Sequence, residues 1–143
     1  MAVERCPMKA LISLIIPCYN EEEQLPETLR GIPAQLPDDF DFELLFVDDG
    51  STDQSWALIQ EAAAKDPRVR GLRFSRNFGK EAALVAGLEE ARGDAVVILD
   101  CDLQLPPRYL PEMLKLWQEG AEIVEGVKEL SLIHISEPTR LLS

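Results

Sequence analysis

At 143 residues, with 46% apolar and 28% charged residues, the chain is sized for one soluble globular domain with a modest core. The net charge of −12 argues against a nucleic-acid-binding surface, which needs a basic stripe, and no apolar run approaches the ~18 residues of a membrane helix. Three cysteines, Cys6, Cys18 and Cys101, are odd in number and not spaced as metal ligands, so reduced thiols are expected.

The first apolar run, Leu11-Ile12-Ser13-Leu14-Ile15-Ile16, reads as a strand closed by Pro17 and is too short for the core of a secretory signal. Asn20 is placed to cap a helix opening on Glu21-Glu22-Glu23, acids that suit the positive end of the helix dipole. Pro37-Asp38-Asp39 forms a turn, and Phe42–Val47 a second strand ending in Asp48-Asp49-Gly50-Ser51. Ser51-x-x-Gln54 has the form of a capping box for a helix from Thr52 to Lys65, with Trp56, Ile59 and Ala63 on one face. Asp66-Pro67 stops that helix. A third strand, Val69 to Phe74, leads through Ser75-Arg76-Asn77-Phe78-Gly79-Lys80 into a helix reaching Ala91, with Leu84 and Leu88 inward and Gly93 at its end. Val96-Val97-Ile98-Leu99 is the fourth strand, its unbroken apolar run suited to burial on both faces of a parallel sheet. Pro106-Pro107 opens a helix whose stripe is Leu110, Met113 or Leu114, and Trp117; Gly120 ends it, and Ala121–Gly126 reads as a fifth strand.

Strict alternation of strand and helix implies an α/β fold with a mostly parallel sheet and right-handed crossovers. In a doubly wound order 3-2-1-4, the first and fourth strands are neighbours at the switch point, where such sheets bind ligands. The loop Pro17–Glu21 then faces Asp100–Gln104 across a single crevice, with Asp48-Asp49 at its far end.

Each candidate segment has an ordinary structural explanation and a chemical one. Asp100-Cys101-Asp102-Leu103-Gln104 supplies two carboxylates and an amide oxygen, a hard oxygen set suited to Mg²⁺ or Mn²⁺, although an isolated Asp-x-Asp more often marks a solvated acidic turn. Pro17-Cys18-Tyr19-Asn20-Glu21 is a plain strand-to-helix turn, or a ring and polar edges for a base. Val47-Asp48-Asp49-Gly50-Ser51-Thr52-Asp53 is a glycine turn with a helix cap, or a pair of acids accepting from ribose hydroxyls or a base N–H. Arg76-Asn77-Phe78-Gly79-Lys80 is a basic turn, or two cations before a helix N-terminus that suits anions. It is not a P-loop, because Glu81 follows Lys80, and no G-x-G-x-x-G follows the first strand.

Together these segments resemble the family 2 glycosyltransferases of the GT-A fold. Ile16–Glu22, Val47–Asp53, Arg76–Glu81 and Asp100–Gln104 occur in that family's order and spacing, within residues 10–129. The Asn-Phe-Gly-Lys-Glu and Asp-Leu-Gln elements are similar to the polyprenyl-phosphate branch, the bactoprenol glucosyltransferases and dolichol-phosphate-mannose-synthase-like enzymes. The resemblance implies a Rossmann-like GT-A nucleotide-diphosphosugar transferase fold, of which this chain is the N-terminal portion. It also implies inverting transfer of a hexose from a nucleotide diphosphosugar (UDP-glucose or similar) to a polyprenyl phosphate, with Mg²⁺ or Mn²⁺. By position, Pro17, Tyr19, Asn20, Glu21, Asp48 and Asp49 would bind base and ribose, and Arg76 and Lys80 the diphosphate. Asp100, Asp102 and Gln104 would hold the metal, Asp102 being the catalytic residue. Leu105 departs from the family, which usually has Asp or His before the double proline.

An acceptor phosphate is already anionic at neutral pH, so no general base is demanded; transfer to a sugar hydroxyl of a surface polysaccharide would require one. A receiver-type signalling module also combines acids with a lysine, but its acids follow the first and third strands, whereas here they follow the second and fourth. Residues 130–143 do not continue the pattern and resemble the conceptual translation of a sequencing-library adaptor. On that resemblance residues 1–129 are the N-terminal part of a catalytic domain, and the single histidine, His134, carries no functional weight. Such a fragment is expected to bind nucleotide sugar without turnover. The parent would be membrane-anchored by segments beyond Glu129, open to oligomerisation, and at work on the cytoplasmic face of the cell membrane.

Overall fold

The computed structural model describes residues 9–101, 110–120, 124–127 and 132–135. The first apolar runs form β1 (Leu11–Cys18), β2 (Asp41–Asp48), β3 (Val69–Arg73) and β4 (Ala95–Ile98), with α1 (Leu25–Ala34), α2 (Ser55–Lys65) and α3 (Lys80–Glu90) between them. After β4 come α4 (Leu110–Gln118), β5 (Val124–Val127) and β6 (Leu132–Ile135). The four-stranded sheet has the expected order β3-β2-β1-β4, every pairing parallel. Its register sets Cys18 opposite Asp48 and Ile15 opposite Ile98, so the carboxyl ends of β1, β2 and β4 share one rim.

The period of two explains the two-sided core. Ile12, Leu14 and Ile16 of β1 and Phe42, Leu44 and Phe46 of β2 share one cluster with Leu25, Ile32, Ile59, Leu110, Met113 and Leu114 from α1, α2 and α4. The intervening Ile15, Leu45 and Val47 pack with Ala83, Leu84 and Leu88 of α3, joined by Val96 and Ile98. The α4 stripe falls where its spacing predicts, with Leu110, Met113 and Leu114 buried and Trp117 partly so.

The alternation of faces also buries polar groups near the N-terminal ends of the strands. Ser13 and Glu43 face α3, where the Ser13 hydroxyl (2.5 Å) and the Arg92 amide (2.6 Å) donate to Glu43 Oε2, and Arg70 Nη1 donates to Oε1 at 2.9 Å. Gly93 completes the cluster by donating its N–H to Ser13 Oγ at 2.8 Å; a Cβ there would stand 2.6 Å from that oxygen, so only glycine fits. Burial works to raise the Glu43 carboxyl, but hydrogen bonds from Ser13, Arg92 and Arg70 and the guanidinium charge outweigh it and hold the group below its ordinary value.

Two expectations change. The first helix does not open at Glu21: α1 starts at Leu25, and Asn20 sits at φ 51 without capping it. Likewise α2 starts at Ser55 rather than Thr52, with no side-chain cap from Gln54, because the polar residues of both loops bond each other instead. The fifth strand, β5, pairs antiparallel with β6, which lies within residues 130–143. Among the described residues no helix is long and apolar enough to cross a membrane.

Candidate functional site

Two loops leave the rim side by side and hold each other. The backbone N–H groups of Asn20, Glu21 and Glu22 donate to Ser51 Oγ (2.8 Å), Ser55 Oγ (2.8 Å) and Asp53 Oδ2 (3.2 Å). In return the N–H groups of Thr52 and Gln54 donate to Asn20 Oδ1 (2.8 Å) and Glu22 Oε2 (3.2 Å). Every bond satisfies a backbone amide that no helix or strand satisfies, which is the work short polar side chains do best in turns. Asp53 also accepts from the Ser55 N–H; burial opposes its charge, but the bonds from Ser55 and Glu22 keep its carboxyl below the ordinary range. Ser51, Asp53 and Ser55 thus hold the first loop in shape. The sequence signal for Ser51 and Asp53 was present in the Asp-Gly-Ser-Thr-Asp run, but it pointed to helix capping.

Asp48 and Asp49 behave differently from each other. Asp48 is fully buried at the end of β2, and neither carboxylate oxygen has a hydrogen-bond partner. Arg73 Nε stands 3.7 Å from its Oδ2. Asp49 is 4% exposed and its carboxylate is fully engaged: Oδ1 accepts from Phe78 N–H (2.8 Å), and Oδ2 from Gly79 N–H (3.0 Å) and Asn77 Nδ2 (3.2 Å). The acid expected at a base or ribose is therefore turned toward the Asn77–Gly79 segment.

The remaining candidates lie at the outer rim. Pro17 is held inside β1 opposite Val47, while the Tyr19 ring is 46% exposed. Lys80, the first residue of α3, reaches across to the segment just after β4, with Nζ 3.0 Å from Asp100 Oδ1. Arg76 lies over the exposed Phe78 ring, 4.7 Å from its centroid, and Phe78 stands edge-on to Phe74 at 5.6 Å. Asp102 and Gln104 lie outside the described residues, and among those described no three acidic, histidine or cysteine side chains gather as a metal site. Asp102–Gln104, the far wall of the crevice expected between the first and fourth loops, lie outside the described residues; the described part of this rim lines two hollows. One of about 700 Å³ lies between Gly50–Asp53 and Arg73–Ser75, and another of about 490 Å³ is lined by Asn20–Gln24 and Asp53. Neither lining includes Tyr19, Lys80 or Asp100.

Beneath the rim, Cys18 and Cys101 are buried and unbridged, and the Thr28 hydroxyl donates to the Cys101 carbonyl at 2.6 Å. Hydrogen bonding with the Cys101 thiol, then burial and the charges of Asp48 and Glu21, push the Cys18 thiol far above its ordinary range. It is a packed, protonated group rather than a nucleophile.

Comparison with known proteins agrees with this geometry. The model of glycosyl transferase family 2 matches residues 13–131. The bactoprenol glucosyl transferase of Shigella phage SfV is 45% identical over 116 residues, covering 79% of this chain and 37% of that protein. The undecaprenyl-phosphate 4-deoxy-4-formamido-L-arabinose transferase of Pseudomonas fluorescens is 43% identical over 121 residues, covering 82% of this chain and 35% of that one. Among solved structures, a mannosyltransferase from Pyrobaculum calidifontis in complex with GDP-Man and Mn²⁺ superposes with a TM-score of 0.72 at 28% identity, over 84% of this chain and 36% of its own. The chain thus spans little more than a third of the relatives it matches. With a parallel sheet in the 3-2-1-4 order, acids at the ends of its second and fourth strands and a family match over most of its length, this chain belongs to the family 2 glycosyl transferases and has their GT-A fold.

Proposed function

We propose that this site serves the inverting transfer of a hexose from a nucleotide diphosphosugar to a polyprenyl phosphate, with Mg²⁺ or Mn²⁺, at the cytoplasmic face of a membrane. The relatives from the Shigella phage and Pseudomonas support the acceptor, since their names place the sugar on bactoprenol and undecaprenyl phosphate. The Pyrobaculum enzyme with GDP-Man and Mn²⁺ supports the donor class and the divalent ion.

The observation that carries the reading is the Lys80–Asp100 pair at 3.0 Å. Asp100 is a hard oxygen donor with a 40% exposed side chain that already holds a cation, so it fits a divalent ion. Asp102 and Gln104 are proposed to complete that set. A bound ion would supply Lewis-acid stabilisation to the departing diphosphate. With an ion held at Asp100, the Lys80 ammonium would be available to the phosphate oxygens, with Arg76 as the second cation. Tyr19 offers an exposed face for a base, and the braced Asn20–Glu21 backbone fixes the polar edge beside it. Asp48 is the candidate for ribose or base, a carboxylate with no hydrogen bond of its own.

Calorimetric titration of UDP-glucose with and without Mn²⁺ tests the assignment. Asp100→Asn and Asp102→Asn should each remove the metal-dependent part of the affinity. Metal-dependent binding that survives both substitutions would refute the ligand set.

A further inference from the structure

We propose that Thr28 is a positioning residue for the metal ligands: from inside α1 its hydroxyl fixes the peptide carbonyl that lies between Asp100 and Asp102. The inference deepens the proposed function and rests on it for the assignment of those two aspartates to the ion.

Packing alone gives no reason for a hydroxyl at this place. α1 turns Leu25, Thr28 and Ile32 inward, the 3–4 spacing of a buried stripe, and all three are fully buried. Leu25 and Ile32 belong to the core cluster that also holds Leu99 and Cys101. A hydroxyl in such a stripe costs stability unless it is hydrogen-bonded, so its partner explains it. The ordinary partner is the carbonyl four residues back, and the Gln24 carbonyl does lie 3.2 Å from Thr28 Oγ1. That carbonyl, however, already accepts the Thr28 backbone N–H at 3.1 Å. The hydroxyl has a much shorter alternative, the Cys101 carbonyl at 2.6 Å, 73 positions away in the chain. One O–H donates one proton, and the shorter bond takes it. The hydroxyl oxygen in turn faces the Cys101 thiol, with Sγ at 4.0 Å, so the same residue is met at both its backbone and its side chain.

The carbonyl so held is the one that matters for the ion. β4 pairs with β1 as far as Ile98, and the Leu99 N–H, donating to the Ile15 carbonyl at 2.9 Å, carries the link one residue further. Cys101 lies two residues past that link, with its side chain buried in the core, while the neighbouring Asp100 side chain is 40% exposed. The buried thiol and the Thr28 bond therefore anchor the segment from its inner side and leave Asp100 facing outward. The anchor is mounted on a helix whose own start is fixed. The N–H groups of Gln24 and Leu25 donate to the Glu21 carbonyl at 3.1 and 2.8 Å, and the Glu21 N–H is held by Ser55 Oγ. The loop assigned to the base and the segment assigned to the ion are thus joined through the first turn of α1. Ligands backed by a rigid, hydrogen-bonded element keep their geometry when an ion arrives, and loss of such backing weakens the ion and not the fold alone.

Two substitutions separate the hydroxyl from the shape. Thr28→Val keeps the branched side chain and removes the hydroxyl, whereas Thr28→Ser keeps the hydroxyl and removes a methyl group. Calorimetric titration with UDP and with GDP, each with and without Mn²⁺, reads the metal-dependent gain in affinity. That gain should fall about tenfold in Thr28→Val, the size expected when a partner behind a metal ligand is lost. Binding without Mn²⁺ should hold, and Thr28→Ser should keep the gain. A second readout needs neither metal nor nucleotide. In the NMR spectrum of the ligand-free protein, the Cys101 carbonyl ¹³C resonance should move upfield in Thr28→Val, as a carbonyl losing its donor does, and stay in place in Thr28→Ser. If Thr28→Val does not fold, Thr28→Cys, a weaker donor of similar size, should show both effects in reduced form. An unmoved Cys101 carbonyl, a full metal-dependent gain in Thr28→Val, an equal loss with and without Mn²⁺, or a loss in Thr28→Ser as large as in Thr28→Val overturns the inference and leaves the ion assignment standing. A wild-type chain whose nucleotide affinity ignores Mn²⁺ sinks the ion assignment itself, and the role of Thr28 with it.

Discussion

The two ends of the sheet bury the same kind of residue to opposite effect. Near the N-terminal ends of the strands, Glu43 is surrounded by donors: a serine hydroxyl, a backbone amide and a guanidinium. At the C-terminal ends, Asp48 is as deeply buried and has none, only the Arg73 guanidinium at 3.7 Å. A buried carboxylate with its donors in place stabilises the fold, whereas one without them costs stability and persists where something else uses it. On the proposed function, the contrast separates the end that holds the protein together from the end that meets the donor. Asp49 adds a third case, a rim acid whose carboxylate accepts backbone N–H groups from Phe78 and Gly79.

Replacing one acid at each end sharpens the comparison. Glu43→Ala should have the largest effect, about 3 kcal/mol of lost stability by chemical denaturation, because Ser13, Arg92 and Arg70 lose their acceptor together. The contribution is also pH-dependent. The folded carboxyl titrates below its ordinary value of 4.5, so the stabilisation is complete above that pH and is lost as pH falls through the depressed folded value. The stability gap between wild type and Glu43→Gln should therefore be wide at pH 7 and shrink on acidification toward pH 3; a constant gap would show that the charge of Glu43 contributes nothing. Asp48→Asn should go the other way, leaving stability unchanged or raising it by about 1 kcal/mol, since a buried charge without donors disappears. The same variant should weaken nucleotide-sugar binding in the calorimeter, and a large loss of stability would place Asp48 with Glu43 instead. The smallest effect belongs to the surface. Glu61→Ala breaks an exposed pair with Lys65 at 3.0 Å and should change stability by less than about 0.5 kcal/mol.

Much of this was legible in the sequence because apolar period and strand–helix alternation are strong signals. The four strands, their order and the inward faces of α3 and α4 follow from Ile12/Leu14/Ile16, Leu84/Leu88 and Leu110/Met113/Leu114. The misses concern groups with two uses. Asn20 and Ser51 are the residue types that cap helices, and local reading gave each its own helix. In the folded chain they bond across a separation of 31 residues, which no window of sequence displays. The bonds from Asn77, Phe78 and Gly79 to Asp49 span 28–30 positions and were hidden for the same reason. The partner of β5 was missed because 130–143 was set aside from the folding pattern.

The exchange of bonds between 20–22 and 51–55 has a practical consequence for anyone recombining relatives of this protein. Neither loop carries the information for its own shape, so moving one into a homologue without the other would transplant side chains but not their geometry. The two must travel as a matched set, and chimaeras with a crossover point between them should lose donor recognition even when every individual residue is preserved.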